Sequence, residues 1–273
     1  MGDMKLGVII TLCEDIEMEF KKVRDLGFRT CQLSCDRIKY FGDAYANRIL
    51  KACKDYCIEI TAFWCGWEGP TCWDFYNGPA TIGLVPAAYR ASRMDTLVMG
   101  SDFAKKLGVT DVATHAGFIP EDPTNPDYNG TVNALKYIAA YLKTNDQFLL
   151  LETGQETPIT LLRTLRDIGA DNLGINFDPA NLLMYGKANP LDALNMLGSF
   201  VRGVHAKDGE YPTDGKSLGA EKPIGQGIVN FPEFISRLKG IGYSGAITIE
   251  REITGEQQIN DIKYAKQILE DLI

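Results

Sequence analysis

The 273-residue chain has no run of basic residues. Its 28 Lys and Arg are outnumbered by 36 Asp and Glu, which leaves a formal net charge of -8. Nucleic-acid binding depends on clustered Lys and Arg that neutralise phosphates, so this balance argues against a nucleic-acid partner. Small molecules are the expected partners.

Long apolar runs are also missing. The apolar stretches have the length of strands, and none approaches the roughly 20 residues that a membrane-spanning helix needs. The N-terminal stretch MGDMKLGVII has neither a basic region nor a small-residue cleavage site. We therefore expect a cytoplasmic protein without a membrane partner.

The cysteine pattern does not indicate cross-links. Seven cysteines are an odd number and no C-x-x-C occurs. Neither a disulfide framework nor a zinc knuckle is suggested, and reduced, partly buried thiols are expected.

What the sequence does have is a regular alternation of short apolar runs and amphipathic stretches. Segments such as EDIEMEFKKVRDLGF and TPITLLRTLRDIGA carry helical spacing. Strand followed by helix, repeated eight times, predicts an α/β protein with a single (β/α)8 TIM barrel over residues 1–273. The eight candidate strands are 6–10, 30–34, 58–63, 111–115, 148–152, 173–178, 201–205 and 246–250.

A weak internal repeat supports this count. RDLGFRTCQLS, KKLGVTDVATH, RDIGADNLGIN and LKGIGYSGAITIE each have the pattern of a helix, a glycine that ends it, a short loop and a strand. The structural rival is a doubly wound open sheet, but no G-x-G-x-x-G follows the first strand. No linker rich in Pro, Gly or Ser divides the chain, so we expect one domain.

Polar residues close five of the apolar strands. In a barrel the C-terminal ends of the strands meet at a common mouth, so these residues are expected to lie near one another although they are far apart in sequence. They include both histidines of the chain and three carboxylates: His115, Glu152, Asp178, His205 and Glu250.

Three carboxylates and one imidazole, with no thiolate, suit a hard or borderline divalent ion such as Mn²⁺, Mg²⁺, Co²⁺ or Zn²⁺. Glu152, Asp178, His205 and Glu250 are the candidate ligands. The alternative for each is a rim residue that faces water or caps a helix. His115 could contact substrate, or it could be a hydrogen-bonded core residue.

Four longer motifs resemble one family. LLLETGQE, GINFDPANLLMYG, VHAKDG and GQGIVNFPEFISRLKGIGYSGAITIE are similar to segments of the xylose isomerase-like TIM-barrel superfamily, which includes sugar isomerases and epimerases, inosose dehydratases and endonuclease IV. The resemblance covers nearly the whole chain. It implies that Glu152, Asp178, His205 and Glu250 bind one divalent metal ion, for which Mn²⁺ is the first expectation.

In the ketose 3-epimerases of this family, the first and last glutamates are also acid/base groups. By this resemblance Glu152 and Glu250 would exchange a proton on a carbon next to a carbonyl, through an enediolate, on a small carbohydrate or its derivative. Relatives are often dimers or tetramers, so a homodimer or homotetramer is also expected.

Further residues are candidates for substrate binding: Glu156, Asn181, Lys207 and Trp67, together with His115. Glu156 has the alternative of a solvated carboxylate at the start of the next helix. Trp67, with Trp64 and Trp73, either stacks on a sugar or packs within its own loop.

Two departures from the family pattern keep other functions open. Asn181 stands where relatives often have a histidine, and two histidines are too few for the three zinc ions of endonuclease IV. No arginine follows the HAKD motif, where ketose 3-epimerases bind substrate. A dehydratase of the inosose or dehydroshikimate type is the alternative enzyme, and a non-catalytic sugar-binding barrel is the alternative of another class.

Overall fold

Eight parallel strands close into a barrel in the computed structural model, which describes residues 4–273. Neighbouring strands pair in sequence order, and the first pairs with the last to complete the ring. The prediction of a single (β/α)8 barrel is confirmed. The strands are β1 Lys5–Thr11, β2 Thr30–Cys35, β3 Glu59–Cys65, β4 Asp111–Thr114, β5 Phe148–Glu152, β6 Leu173–Phe177, β7 Val201–Ala206 and β8 Ala246–Ile249.

Helices surround the barrel and bury their apolar faces on it. In helix α6, for example, Leu161, Leu165 and Ile168 are buried. The helices are α1 Ile16–Asp25, α2 Asp43–Tyr56, α3 Gly78–Thr81, α4 Ala87–Lys106, α5 Pro126–Thr144, α6 Pro158–Ile168, α7 Pro179–Met184, α8 Pro190–Leu197, α9 Phe231–Gly240 and α10 Glu256–Glu270. Two 3₁₀ turns are added at Ile38–Tyr40 and Gly198–Phe200.

The ends of these helices follow from local sequence. At α6 the side chain of Thr157 caps the first turn and Pro158 occupies the first helical position, where its missing N–H costs nothing. The glycines of the internal repeat have positive φ, which L side chains rarely adopt. These are Gly27, Gly108, Gly169 and Gly242, with φ of 76°, 72°, 67° and 78°.

The barrel strands are buried on both faces, as in other parallel sheets. Leu149, Leu150 and Leu151 of β5 are inaccessible to solvent. The barrel interior nevertheless holds polar side chains, since Gln32, Asn176 and Thr248 are buried and border a cavity of about 300 Å³. Such a polar interior differs from the Val, Ile and Leu layers that usually fill a barrel.

Two long connections lie at the mouth of the barrel, as their position after β3 and β7 predicts. The first, residues 66–86 between β3 and α4, contains α3. The second, residues 207–230 between β7 and α9, contains a short antiparallel ribbon in which Asp208–Gly209 pairs with Glu221–Lys222. The seven cysteines are all free, as expected. None of the helices described is both long and apolar enough to span a bilayer.

Candidate metal centre and active site

Four of the residues that close barrel strands converge at the mouth. Glu152 ends β5, Asp178 follows β6, His205 lies near the end of β7 and Glu250 follows β8. One ligand atom from each lies within 4.8 Å of the others. Adjacent parallel strands deliver consecutive members of the set to one place, as the sequence predicts.

His205 stands at the centre of this cluster. Its Nδ1 lies 3.2 Å from Oε1 of Glu152, 3.1 Å from Oε2 of Glu250 and 3.7 Å from Oδ2 of Asp178. All four residues are largely or wholly removed from solvent. A buried point surrounded by three carboxylate oxygens and one imidazole nitrogen matches the donors that Mn²⁺, Mg²⁺ and Zn²⁺ take in proteins.

Unsatisfied atoms test whether this donor set fits a metal ion. Nδ1 of His205, Oδ2 of Asp178 and Oε2 of Glu250 are buried and make no hydrogen bond of good geometry. Buried polar atoms are normally paired, because leaving one unpaired costs about 1–3 kcal/mol. Three buried atoms that lack a hydrogen bond of good geometry and face one point are what a cation would satisfy, so the residues fit a divalent ion.

Asp178 fits both of the roles that the sequence offered as alternatives. Its Oδ1 accepts a hydrogen bond of 2.9 Å from the backbone N–H of Asn181 and so caps α7, while Oδ2 faces His205. The cap fixes the carboxylate, and the second oxygen is free to act as a ligand.

The other side of the His205 ring contacts amides from the barrel interior. Nε2 contacts Oε1 of Gln32 and lies 2.9 Å from the amide nitrogen of Asn176. A partner on Nε2 fixes the orientation of the imidazole. We did not predict Gln32 as a site residue, although a glutamine within the apolar run TCQLS is a signal that could have been used.

The electrostatics of the cluster follow from burial and from mutual attraction. Burial lowers the pKa of His205, but Glu152 and Glu250 raise it well above its usual range. Burial raises the pKa of Glu250, yet Lys207 and His205 bring it well below the ordinary value. For Asp178 burial prevails over Lys207 and the pKa is raised. The cluster is therefore a strongly coupled set of charges.

A cavity of about 530 Å³ opens above the cluster, large enough for a monosaccharide. Of the residues predicted to bind substrate, His115 and Asn181 line it, alongside Glu152 and Glu250. The amide nitrogen of Asn181 lies 3.2 Å from Oε1 of Glu152, and Nε2 of His115 lies 3.6 Å from the same oxygen. Gln155 and Tyr185 also line the cavity and were not predicted.

Lys207 lies behind the cavity wall. Its fully buried ammonium is 3.2 Å from Oε2 of Glu250, 3.0 Å from Oε1 of Glu252 and 3.9 Å from Oδ2 of Asp178. It also lies 3.4 Å from the side-chain oxygen of Asn181. Lys207 therefore positions carboxylates of the cluster, and it does not line the mouth.

Glu156 is not the solvated helix-start carboxylate that the sequence left open. The residue is buried with 3% exposure, Oε2 makes no hydrogen bond, and burial raises its pKa to about 8. Thr157 caps α6 in its place. Glu156 is not among the residues that line the cavity.

The three tryptophans of the loop after β3 divide between two tasks. Trp64 and Trp73 line the cavity, and the indole N–H of Trp64 donates to Oε2 of Glu152. Trp67, the tryptophan predicted to bind substrate, is buried between them and packs on the guanidinium of Arg93, 4.9 Å from its ring centre. Trp67 supports the aromatic wall from behind.

The chain has relatives along its whole length. The family model for xylose isomerase-like TIM barrels matches residues 20–272. A xylose isomerase domain protein from Planctomyces limnophilus has a structure with a TM-score of 0.94 and 33% identity, over 99% of this chain and 97% of that one. An uncharacterized protein of Methanocaldococcus jannaschii is 25% identical, over 99% of this chain and 90% of its own length.

More distant structures share the fold. A D-tagatose 3-epimerase-like protein has a TM-score of 0.77 and 23% identity, over 98% of this chain and 97% of that one. Other solved structures of this fold, at 18% identity, are an L-ribulose 3-epimerase, the probable 3-DHS dehydratase from Bacillus anthracis and a Mycobacterium smegmatis protein in complex with magnesium. Sugar epimerases and a dehydratase are thus among the proteins with this fold.

Proposed function

Because the chain belongs to the xylose isomerase-like TIM-barrel family, we propose that it is a divalent-metal-dependent isomerase or epimerase of a small carbohydrate or carbohydrate derivative. The observation that carries this proposal is the buried cluster of Glu152, Asp178, His205 and Glu250 at the floor of a sugar-sized cavity. The solved structures of this fold include sugar epimerases and a probable dehydratase, and these support the choice of reaction class.

The four cluster residues would hold one divalent ion, with Mn²⁺ as the first expectation and Mg²⁺, Co²⁺ and Zn²⁺ as alternatives. When bound, the ion would polarise a substrate carbonyl and make the neighbouring C–H more acidic. The magnesium complex of the Mycobacterium smegmatis protein supports a hard divalent ion.

The chain's own carboxylates would move the proton. Glu152 and Glu250 both reach the point that Nδ1 of His205 faces, and both border the cavity. Trp64 and Asn181 orient Glu152 by hydrogen bonds, and the Lys207 ammonium stands beside Glu250. One carboxylate would remove the proton next to the carbonyl, and the other would return a proton through an enediolate.

A dehydratase of the inosose or dehydroshikimate type is the second candidate, and the observation that favours it is that the probable 3-DHS dehydratase from Bacillus anthracis shares this fold. Loss of water begins with the same proton abstraction but needs a proton for the departing hydroxyl. One of the two carboxylates, Glu152 or Glu250, would remove the proton next to the carbonyl, and the other, in its protonated form, would give a proton to the departing hydroxyl. The departing oxygen leaves as water, and a carbon–carbon double bond forms.

A substrate screen in D₂O tests the proposal. Ketoses and inososes are incubated with Mn²⁺-loaded protein, and proton NMR follows deuterium uptake and product formation. Epimerisation or isomerisation retains the oxygen count with deuterium at one carbon, whereas dehydration gives a product lighter by one water. Binding of sugars without any exchange would indicate the non-catalytic sugar-binding barrel. The cytoplasmic location and the homodimer or homotetramer remain predictions from the sequence.

A further inference from the structure

The charged groups around the mouth identify the kind of substrate it accepts. Among residues 4–273, two basic side chains line the cavity, Lys22 and Arg251. Lys22 pairs with Glu19 at 2.5 Å. Arg251 donates to Glu221 at 2.6 Å and to Asp261 at 2.8 Å. Both cations are therefore already matched by carboxylates of the protein.

Lys207, behind the wall, is matched as well. Its ammonium lies within 4 Å of Asp178, Glu250 and Glu252. A phosphate would have to displace these carboxylates to reach it, and two of them belong to the metal cluster. No cation in the described part of the site is thus available to a phosphoryl group.

Backbone donors are also occupied. Barrel enzymes frequently bind phosphate with the N–H groups of the loops that follow the seventh and eighth strands. Here the carboxylate of Asp208 accepts hydrogen bonds from four such groups, at 2.8 to 3.1 Å. The four donors are the N–H groups of Gly209, Gly225, Gly227 and Val229. The carboxylate of Asp208 therefore already occupies the backbone N–H groups of this loop that a phosphate would need.

The net charge of the centre adds repulsion. Glu152, Asp178, Glu250 and Glu252 carry four negative charges, and Lys207 carries one positive charge. A divalent ion with neutral His205 would still leave one net negative charge. A phosphate dianion at this mouth would meet like charge in a partly desolvated site, where such repulsion is costly.

Neutral polar and aromatic groups, in contrast, are available. The side chain of Gln155 lines the cavity with 1% exposure, and neither of its amide atoms makes a hydrogen bond of good geometry. An amide offers both a donor and an acceptor, as a pair of sugar hydroxyls requires. Trp64 and Trp73 present aromatic rings to the same space, and such rings pack on the apolar face of a sugar.

We propose that the substrate is an uncharged carbohydrate and not a sugar phosphate, and that Gln155 binds its hydroxyl groups. This inference rests on the proposed function, because it describes the ligand of the same site. It excludes phosphorylated ketoses as substrates, although their carbon skeletons would suit the same chemistry. Of the two dehydratase types it leaves only the inosose type open, because dehydroshikimate carries a carboxylate.

Isothermal titration calorimetry on the Mg²⁺-loaded protein tests the inference with matched pairs. The probes are D-fructose with D-fructose 6-phosphate, D-ribulose with D-ribulose 5-phosphate, and scyllo-inosose alone. We expect at least one uncharged sugar to bind about tenfold or more tighter than its phosphate ester. Equal or tighter binding of the esters overturns the inference, and so does the absence of binding by every uncharged sugar. A sugar that binds without deuterium exchange contradicts the proposed function alone.

Two variants test separately the effect of charge at the mouth and the contribution of Gln155 to sugar binding. Glu252→Lys places an unmatched cation beside the mouth, so the affinity ratio of ester to free sugar should rise about tenfold. An unchanged ratio in this folded variant would show that charge does not exclude the ester, which overturns the inference. Gln155→Leu should weaken binding of the free sugar about tenfold, while the affinity for Mg²⁺ stays the same. Thermal unfolding of each variant verifies that it is folded.

Discussion

The side-chain oxygen of Gln32, on β2, contacts Nε2 of His205, on β7, across the interior of the barrel. A carbonyl oxygen can only accept, so this contact favours a proton on Nε2, although the amide nitrogen of Asn176 lies 2.9 Å from the same atom. Nδ1, which faces the carboxylates, is then the nitrogen that would bind a metal ion once it is unprotonated. A residue on a distant strand thus favours the form of His205 that can bind a metal ion.

Removing this contact should weaken metal binding. In Gln32→Leu the ring loses its acceptor, and we expect the Kd for Mn²⁺ to rise about 10- to 100-fold, as is typical for partners of ligating histidines. Gln32→Glu keeps an acceptor at the same place and should retain affinity. Calorimetric titration of both variants with Mn²⁺ measures the difference. Equal affinity of Gln32→Leu and the unchanged protein would remove Gln32 from this role.

Metal analysis tests the cluster itself. The purified protein should bind about one divalent ion per chain. Asp178→Asn is the informative variant, because Asn caps helices as well as Asp does but offers no anionic oxygen. Its affinity for the ion should fall while its thermal stability without metal is retained. Glu19→Gln, which changes a carboxylate of the cavity wall outside the cluster, should bind the full complement. Normal metal content in Asp178→Asn would contradict the assignment.

The proposed acid/base pair predicts a loss of exchange. Glu152→Gln and Glu250→Gln keep size and hydrogen bonding but cannot accept a proton. Each should reduce deuterium incorporation at the substrate carbon at least about 100-fold. The measurement is made at saturating Mn²⁺, so that weaker binding of the ion does not limit the rate. Wild-type exchange in either variant would exclude that carboxylate from proton transfer.

The pH dependence of stability should reveal Glu156. Burial raises its pKa to about 8 from 4.5, so the folded chain holds a proton that the unfolded chain loses at lower pH. The stability from burying the neutral acid is complete below pH 4.5 and declines as pH rises towards 8, by on the order of 4–5 kcal/mol. Glu156→Gln should therefore be more stable than the parent at pH 8 and similar at pH 4.5. Chemical unfolding at both pH values, in EDTA, measures the difference, and parallel curves would contradict the buried neutral acid.

Arg93 should be essential for the stability of the loop after β3. Its buried guanidinium donates to the carbonyl oxygens of Pro70, Thr81 and Gly83 at 2.6 to 2.9 Å. Arg93→Met leaves three acceptors unpaired, so the free energy of unfolding should fall by about 3 kcal/mol or more. Arg24→Met, which removes an exposed pair with Asp25, should cost far less, because exposed ion pairs contribute little to stability. Urea unfolding compares the two, and similar losses would contradict the role of Arg93.

The fold was predictable because its signals are local. The apolar run of residues 148–152 becomes β5 with the predicted bounds, and Gly169 ends α6 with positive φ, as the repeat indicates. The cluster was predictable for a related reason. In a barrel the C-terminal end of every strand lies on the same face. The strand–helix repeat of the sequence is therefore enough to predict that Glu152 and Glu250 lie at one mouth.

Other properties required the tertiary structure. Gln32 and Glu156 are ordinary polar residues in the sequence. The partner of Gln32, His205, is 173 positions away, and Oε2 of Glu156 has no hydrogen-bond partner. Whether Trp64 or Trp67 borders the cavity depends on how Arg93 packs against the loop. The sequence by itself determined the barrel and the residues that reach its mouth, since both follow from periodicity. Only the tertiary structure decided which charges are already matched and which side chains are unsatisfied, because burial and pairing depend on contacts between strands and loops far apart in the chain.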